Sequence, residues 1–167
     1  LVEDLLTLAR LDEGRPLDIA DIDLVKLADN AVFDLQALDP TRTVGLIGIN
    51  GRTPPMTLIV PGDRDRLSQV FTNLIGNIVR YTPEGTPVEI ALGRSGDTAI
   101  VELRDHGPGI DETDRGRVFE RFYRTDTSRS RETGGTGLGL SIVAAIIEQH
   151  EGRIHIDETD GGGATFV

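Results

Sequence analysis

The sequence predicts an α+β fold, a two-layer α/β sandwich in which a mixed sheet of about five strands packs on three helices. Three long segments place apolar side chains at spacings of three and four, the period of a half-buried helix. Shorter segments alternate apolar and polar side chains, as strands with one buried face do. The strands and helices interleave along the chain in mixed order, which favours two packed layers.

The opening segment, LVEDLLTLARLDEG, predicts a helix. Leu1, Leu5 and Leu8 form one apolar stripe, and Gly14 with Pro16 ends it. The stripe has no partner within its own segment, so it must pack on this domain or on a neighbouring one. Residues 15–22 are expected to form a linker, and the chain reads as an excised piece of something longer.

The elements of the predicted sandwich follow in order. Asp23 and Asp63 are suited to cap two helices, because a short acidic side chain accepts hydrogen bonds from the N–H groups of a first helical turn. The helices are expected over residues 23–39, 63–82 and 139–150, and the strands over 43–49, 56–60, 87–93, 98–105, 153–157 and 163–167.

The connections between these elements have their own signals. A turn rich in glycine and proline joins the first two strands, and a tight Ser95-Gly96-Asp97 turn joins the next two. A short helix is expected up to Phe119. Residues 123–137 are polar without periodicity and predict a mobile loop.

Composition narrows the classes of protein. With 167 residues the chain is long enough for one domain with a sizeable core, and without cysteine it has no disulfide or thiolate metal site. A formal net charge of -11 disfavours nucleic acid as the main partner, because phosphate binding requires a basic face. No apolar run approaches the roughly 20 residues that span a bilayer.

The stretch GGTGLGLSIV, from Gly134 to Val143, is rich in glycine, the residue that loses the most backbone freedom on folding. Glycine-rich loops bind phosphate where they precede a helix N-terminus. A P-loop is excluded, because its lysine must reach the phosphates and the single lysine, Lys26, lies far from any glycine cluster. A dinucleotide fingerprint is excluded as well, because a long irregular segment precedes these glycines where that motif needs a strand.

Five segments in order carry a family resemblance. They are Asn73-xxx-Asn77 with Arg80-Tyr81, Asp105-x-Gly107-x-Gly109, FERFYR from Phe119 to Arg124, Gly135-x-Gly137-x-Gly139, and GGGATF from Gly161 to Phe166. They resemble the N box, first glycine box, F box, second glycine box and final glycine box of the sensor histidine kinases of two-component systems. The resemblance covers essentially the whole chain. It implies a Bergerat-type ATP-binding catalytic domain over residues 23–167, preceded at 1–14 by the end of the dimerisation and phosphoacceptor helix.

The paired amides of the N box suit a metal. Asn73 and Asn77 lie four residues apart on one helix face, and neutral amide oxygens suit Mg²⁺ when phosphates supply the charge. The resemblance places Mg²⁺ between this helix and ATP, with Asn77 as the closer ligand. It also implies that Arg80 pairs with phosphate, where the family more often has lysine, and that Tyr81 lies beside the purine or ribose. A solvent-facing helix surface is the competing interpretation of either asparagine.

Asp105 ends a predicted strand before a glycine-rich turn. A carboxylate at a pocket floor accepts a hydrogen bond from the exocyclic amine of adenine and repels the carbonyl oxygen of guanine, which favours ATP over GTP. The competing interpretation is an aspartate that caps a turn. Gly107 and Gly109 allow the backbone to approach the base.

The later boxes complete the implied nucleotide site. In the family the F box, with Phe122 and Arg124, anchors a lid and touches the phosphoacceptor domain, although ordinary core packing is the alternative for Phe119. Six arginines between Arg115 and Arg131 either balance triphosphate charge when the lid closes or form a solvated loop. The other implied contacts are Ile110, Gly135, Thr136, Gly137, Leu138, Gly139, Leu140 and Thr165.

The phosphoacceptor histidine is missing from the implied site. His106, His150 and His155 do not lie in the HELRTP-like context that the family uses. The resemblance therefore implies a catalytic part that binds ATP and Mg²⁺ but does not label itself. In a full-length homodimer it would transfer the γ-phosphoryl group to its own phosphoacceptor domain, for relay to a response regulator, on the cytoplasmic side of a membrane-bound sensor.

Three alternatives stay open. Gyrase, chaperone and mismatch-repair ATPases share the fold, but they use a glutamate where this chain has Asn73. Anti-sigma-factor serine kinases share it too, and they generally lack the F box and a preceding dimerisation helix. The third alternative is a module that holds nucleotide without chemistry, against which Asn73, Asn77 and Asp105 count.

Overall fold

The computed structural model describes residues 2–12, 16–51, 53–107, 115, 117, 119–120, 138–158 and 164–166. Its helices there are α1 (Val2–Asp12), α2 (Leu24–Leu38), α3 (Arg64–Tyr81) and α4 (Gly139–Gln149). Its strands are β1 (Ala20–Asp23), β2 (Val44–Gly48), β3 (Ile59–Gly62), β4 (Val88–Ser95), β5 (Thr98–Asp105), β6 (Ile156–Glu158) and β7 (Ala164–Phe166). In this part of the chain, no helix combines the length and apolar character needed to cross a membrane.

The main sheet has five strands in the order β2-β4-β5-β7-β6. β2 runs parallel to β4, and the other neighbours are antiparallel. The β4–β5 hairpin pairs Val88 with Asp105 at one end and Ser95 with Thr98 at the other. Gly96 has a φ of +59° in its two-residue turn, a conformation that glycine adopts without strain. The predicted hairpin and the predicted mixed sheet are confirmed.

The helices cover one face of this sheet and form the second layer. Val88, Ile90 and Leu92 alternate along β4, and all three side chains are buried against apolar faces of α2, α3 and α4. Each such buried side chain contributes about 1.5–3 kcal/mol relative to an exposed one. α1 also packs on α4, and its Leu8 joins the core. The two-layer α/β sandwich predicted from the sequence is confirmed.

Aspartate caps begin α2 and α3, as predicted. The Asp23 carboxylate accepts a hydrogen bond from the N–H of Val25, and Asp63 accepts from Asp65 and Arg66. Asp23 also accepts from the N–H of Leu58, so the cap ties α2 to the approach of β3. The two caps therefore set where both helices begin.

The early strands differ from the prediction. β2 and β3 do not pair with each other: β2 joins the main sheet, whereas β3 pairs with β1 in a separate two-stranded sheet. β3 begins at Ile59, later than expected, and Met56 lies 94% exposed outside it. β1 begins at Ala20 inside the expected linker, because pairing with β3 satisfies its backbone.

Strand β6 is shorter than expected. β6 begins at Ile156, not at Arg153, so His155 precedes the strand. β7 spans Ala164–Phe166 and lies between β5 and β6. The short helix expected before Phe119 and the loop expected over 123–137 lie outside the described residues, apart from a few isolated positions.

Candidate functional site

Helix α3 presents a polar strip beside its buried face. Six apolar side chains, Leu67, Val70, Phe71, Leu74, Ile75 and Ile78, fix the helix rotation by packing into the core. Asn73 and Asn77 consequently lie half-buried at the edge of the packed face, one turn apart. Arg80 is exposed and Tyr81 is half-buried at the C-terminal end of the same helix.

Asn73 connects the N box to the second glycine segment. Its side-chain Nδ2 donates a 3.3 Å hydrogen bond to the backbone oxygen of Gly139, the first residue of α4. With the amide nitrogen turned to Gly139, the amide oxygen points the other way. Two segments 66 residues apart in sequence are therefore brought together as the resemblance implies.

A cation at this strip would need ligands beyond the side chains that the structure describes. Among the described residues, no group of three or more His, Cys, Asp or Glu side chains is placed to hold a metal ion. Neutral amide oxygens bind Mg²⁺ well when phosphate oxygens complete the coordination. Asn73 and Asn77 thus fit a metal that arrives with a phosphate ligand.

The N-terminus of α4 has no acidic or hydroxyl cap. Its N-cap residue is Leu138, which is fully buried in the core and cannot accept a hydrogen bond through its side chain. A Cβ added at Gly139 would meet no described atom within 4 Å. Leu140 is half-buried against the core. A helix N-terminus whose N-cap side chain makes no hydrogen bond is suited to an anionic ligand.

Asp105 lies at the end of β5, opposite Val88 in the centre of the sheet, and only 4% of it is exposed. Its Oδ1 accepts a 3.0 Å hydrogen bond from the N–H of Gly107. This is the turn-capping bond considered from the sequence. A carboxylate has two oxygens with several lone pairs, so the bond is compatible with a second, ligand-accepting role.

Gly107 is required by its neighbour Thr82. A Cβ at residue 107 would lie 2.7 Å from Thr82 Cγ2, closer than side-chain carbons approach one another. Thr82 directly follows Tyr81 and ends α3. The end of the N-box helix and the first glycine segment are therefore in direct contact.

The remaining predicted site residues are less fully placed. Thr165 of β7 pairs with Arg104 of β5, and Arg104 directly precedes Asp105. Residues outside the described part of the chain are Gly109, Ile110, Phe122, Arg124, Gly135, Thr136 and Gly137.

Two polar groups beside the site were not predicted from the sequence. The His106 Nε2 lies 2.8 and 3.0 Å from the two carboxylate oxygens of Glu89. Glu89 therefore engages one of the two ring nitrogens to which a phosphoryl group could attach. Asp39 and Arg42 form a buried ion pair with a separation of 3.2 Å. The local sequence does not indicate that Arg42 is buried, because its partners Thr82 and Thr86 lie 40 or more residues away.

Hydrogen bonds hold the Asp39 carboxylate in its ionised form. The N–H of Gly85 and the Thr41 hydroxyl contribute most, with further help from the Thr41 N–H and the charge of Arg42. Together they outweigh the effect of burial and lower the pKa of Asp39 to about 2.

Comparison with known proteins finds similarity to histidine kinases and related ATPases. The family of histidine kinase-, DNA gyrase B- and HSP90-like ATPases matches residues 62–167. The probable sensor histidine kinase TcrY of Mycobacterium tuberculosis is 44% identical over 161 residues, which cover 96% of this chain and 33% of TcrY. The signal transduction histidine-protein kinase BaeS of Escherichia coli is 38% identical over 168 residues, 100% of this chain and 35% of BaeS.

A solved structure gives the same result. The crystal structure of full-length ShkA in complex with AMPPNP superposes with a TM-score of 0.79 at 27% identity, covering 99% of this chain and 34% of that one. The chain thus spans about a third of the length of the curated relatives it matches. The family resemblance seen in the sequence is confirmed: the chain belongs to the histidine kinase-, DNA gyrase B- and HSP90-like ATPases.

Proposed function

We propose that this chain is the ATP-binding catalytic part of a sensor histidine kinase. In this role it binds ATP with Mg²⁺ and transfers the γ-phosphoryl group to a histidine of a phosphoacceptor domain, for relay to an aspartate of a response regulator. The observation that carries the proposal is the hydrogen bond from Asn73 to Gly139, because it joins the paired amides to the start of α4. The same function is supported by the sensor histidine kinases among the relatives and by the AMPPNP complex of ShkA.

Asn77 and Asn73 would hold the Mg²⁺ ion together with phosphate oxygens. Bound there, the ion would neutralise charge on the β- and γ-phosphates during transfer. The N-terminus of α4, where the N-cap Leu138 makes no side-chain hydrogen bond, would add N–H groups and the positive end of the helix dipole. Arg80, exposed on the same strip, would pair with phosphate as a forked donor.

Asp105 and Tyr81 would receive the nucleoside. The buried Asp105 carboxylate would accept from the exocyclic amine of adenine while it retains its bond to Gly107. Tyr81, half-buried one residue before Thr82, would lie beside the purine or ribose. The contact between Thr82 and Gly107 keeps these two parts of the pocket together.

Transfer to histidine is favoured over hydrolysis by the residue at position 73. The hydrolytic members of the fold use a glutamate there to activate water, and an asparagine amide cannot act as a general base at neutral pH. The relatives found for this chain are sensor histidine kinases, which also disfavours the serine-kinase and binding-only alternatives.

The opening helix would connect this domain to the rest of the kinase. We assign residues 1–14 to the end of the dimerisation and phosphoacceptor helix, 15–22 to a linker whose last three residues already pair with β3, and 23–167 to the catalytic domain. The packing of α1 on α4 through Leu8 gives the first helix a defined contact with that domain. A homodimer, a response regulator and attachment to a cell membrane with the catalytic domain on the cytoplasmic side belong to the same proposal.

Labelling with γ-³²P-ATP tests the proposed reaction. The full-length kinase should acquire a label that is lost in acid and retained in base, as a phosphohistidine is. Asn77→Ala should abolish the label, and the matched variant Asn30→Ala, at an exposed site on α2, should retain it. An acid-stable label would support a serine kinase and overturn the proposal.

A further inference from the structure

The guanidinium of Arg42 is completely buried, although arginine rarely is. It donates to the Asp39 carboxylate at 3.2 Å and to the Thr82 hydroxyl at 2.8 Å. Two backbone carbonyls, those of Thr86 and Pro83, accept from it at 2.9 and 3.3 Å. Arg42 therefore binds four acceptors, three of them in the turn that follows α3.

Asp39 holds the other side of this turn. Its carboxylate accepts from the N–H of Gly85 at 3.0 Å, in addition to the bonds from Thr41 and Arg42. Asp39 and Arg42 thus clamp residues 82–86 from two directions. The low pKa of Asp39 keeps the pair ionised at neutral pH.

The clamp reaches the candidate adenine site through one residue. The Thr82 hydroxyl accepts from Arg42, while its methyl group occupies the space in which a Cβ of Gly107 would lie. The N–H of Gly107 in turn donates to Asp105. The path from Arg42 to the Asp105 carboxylate therefore consists of one hydrogen bond, one close packing contact and one further hydrogen bond.

A buried ion pair is a poor choice if stability alone is needed, because apolar residues of the same volume often stabilise a core as well or better. The directional bonds of a guanidinium can instead fix where a turn lies. We propose that Arg42 is a positioning residue for adenine recognition, which holds Thr82 and Gly107 so that the Asp105 carboxylate faces the base. This inference rests on the proposed nucleotide function.

The discrimination between ADP and GDP measures this role. Loss of stability alone reduces the affinity for both nucleotides by the same factor, so the ratio of their dissociation constants does not change. Misplacement of Asp105 lowers the dissociation constant for GDP relative to that for ADP, since the Asp105 carboxylate is the group that distinguishes the two bases. Isothermal titration with each nucleotide in Mg²⁺ gives both constants.

Three variants separate positioning from stability. Arg42→Met removes the clamp. Thr82→Val removes the hydroxyl that accepts from Arg42 and donates to the Ile78 carbonyl, while it preserves the methyl contact with Gly107. His150→Ala is the control, because it breaks a hydrogen bond to Asp63 at the opposite end of α3, about 27 Å away by helix length.

We expect Arg42→Met and Thr82→Val to lower the GDP/ADP ratio of dissociation constants by roughly tenfold, and His150→Ala to leave it within about twofold. If Arg42→Met does not fold, Thr82→Val decides alone. If the wild-type chain distinguishes ADP from GDP and the folded variants keep the same ratio of dissociation constants, the inference is overturned. A wild-type chain that binds neither nucleotide would instead overturn the proposed function, and this inference with it.

Discussion

The imidazole of His150 joins the end of α4 to the cap of α3. Its Nε2 accepts a 3.0 Å hydrogen bond from the backbone N–H of Asp63, and its Nδ1 donates at 2.8 Å to the carbonyl of Ile146. Because the first partner is a donor and the second an acceptor, the two bonds fit the tautomer that carries its proton on Nδ1. The histidine that ends the predicted helix is therefore a structural group that uses both ring nitrogens.

His150→Ala should destabilise the domain. The substitution leaves the Asp63 N–H without its acceptor and removes the ring that packs beside Gly62. We expect a loss of about 1–2 kcal/mol, or about 3–6 °C in Tm for a domain of this size. Urea unfolding followed by circular dichroism measures it, with Asn30→Ala as an exposed control. Equal stabilities of His150→Ala and the wild type would show that the bond contributes nothing.

Glu151→Gly should stabilise the domain. Glu151 follows the C-cap of α4 with a φ of +59°, while the N–H groups of Glu151 and Gly152 bond to the carbonyls of Glu148 and Ile147. This is a Schellman ending, in which glycine avoids a steric cost of about 1 kcal/mol. The same unfolding measurement should therefore show a gain of up to about 1 kcal/mol. A loss of stability would mean that the glutamate side chain makes a contact worth more than the backbone cost.

The pH dependence of stability should depend on Asp39. Its pKa falls from an ordinary value of 3.8 to about 2 on folding, so below pH 3.8 the unfolded chain takes up a proton that the folded chain does not. The stabilisation is complete above pH 3.8 and is lost as the pH falls through about 2. In Asp39→Asn this contribution is absent at every pH. The difference in Tm between wild type and Asp39→Asn should therefore shrink from pH 5 to pH 2, and a constant difference would contradict the assignment.

Gly107→Ala should weaken nucleotide binding. The added Cβ would lie 2.7 Å from Thr82 Cγ2 and 3.1 Å from Thr82 Cβ, so the turn that holds Asp105 must move. We expect ADP affinity to fall at least roughly tenfold. Thr82→Ser in the same chain removes Cγ2 but keeps the hydroxyl, and it should restore part of the affinity.

Gly45→Ala is the matched control for that substitution, because a Cβ there meets no described atom within 4 Å. It should bind ADP as the wild type does. Wild-type affinity in Gly107→Ala would show that the close approach of Thr82 has no bearing on the site.

Much of the helical layer could be predicted because its signals are local. Asp23 and Asp63 lie one residue before the helices that they cap, and the apolar spacing along α3 fixed which side faces the core. The same spacing placed Asn73 and Asn77 on one strip. The proximity of Asn73 to Gly139 required the family resemblance as well, since no local pattern relates residues so far apart.

The strand pairing and the clamp could not be predicted from local patterns. The sequence of β1, ADID, places its one buried side chain, Ile22, between two aspartates, so the local pattern does not indicate a strand. The segment becomes a strand by pairing with β3. Arg42 follows a loop proline in a polar stretch, like many exposed arginines. Its burial depends on carbonyls of a turn more than 40 residues later, which the chain brings near only on folding.

Calorimetric titration of this chain with ATP and Mg²⁺ tests the central claim most directly. We expect saturable binding of one ATP per chain, stronger with Mg²⁺ than with EDTA, and weakened at least roughly tenfold by Asn77→Ala but not by Asn30→Ala. A chain that is folded by circular dichroism and yet gives no saturable heat with ATP and Mg²⁺ would contradict it.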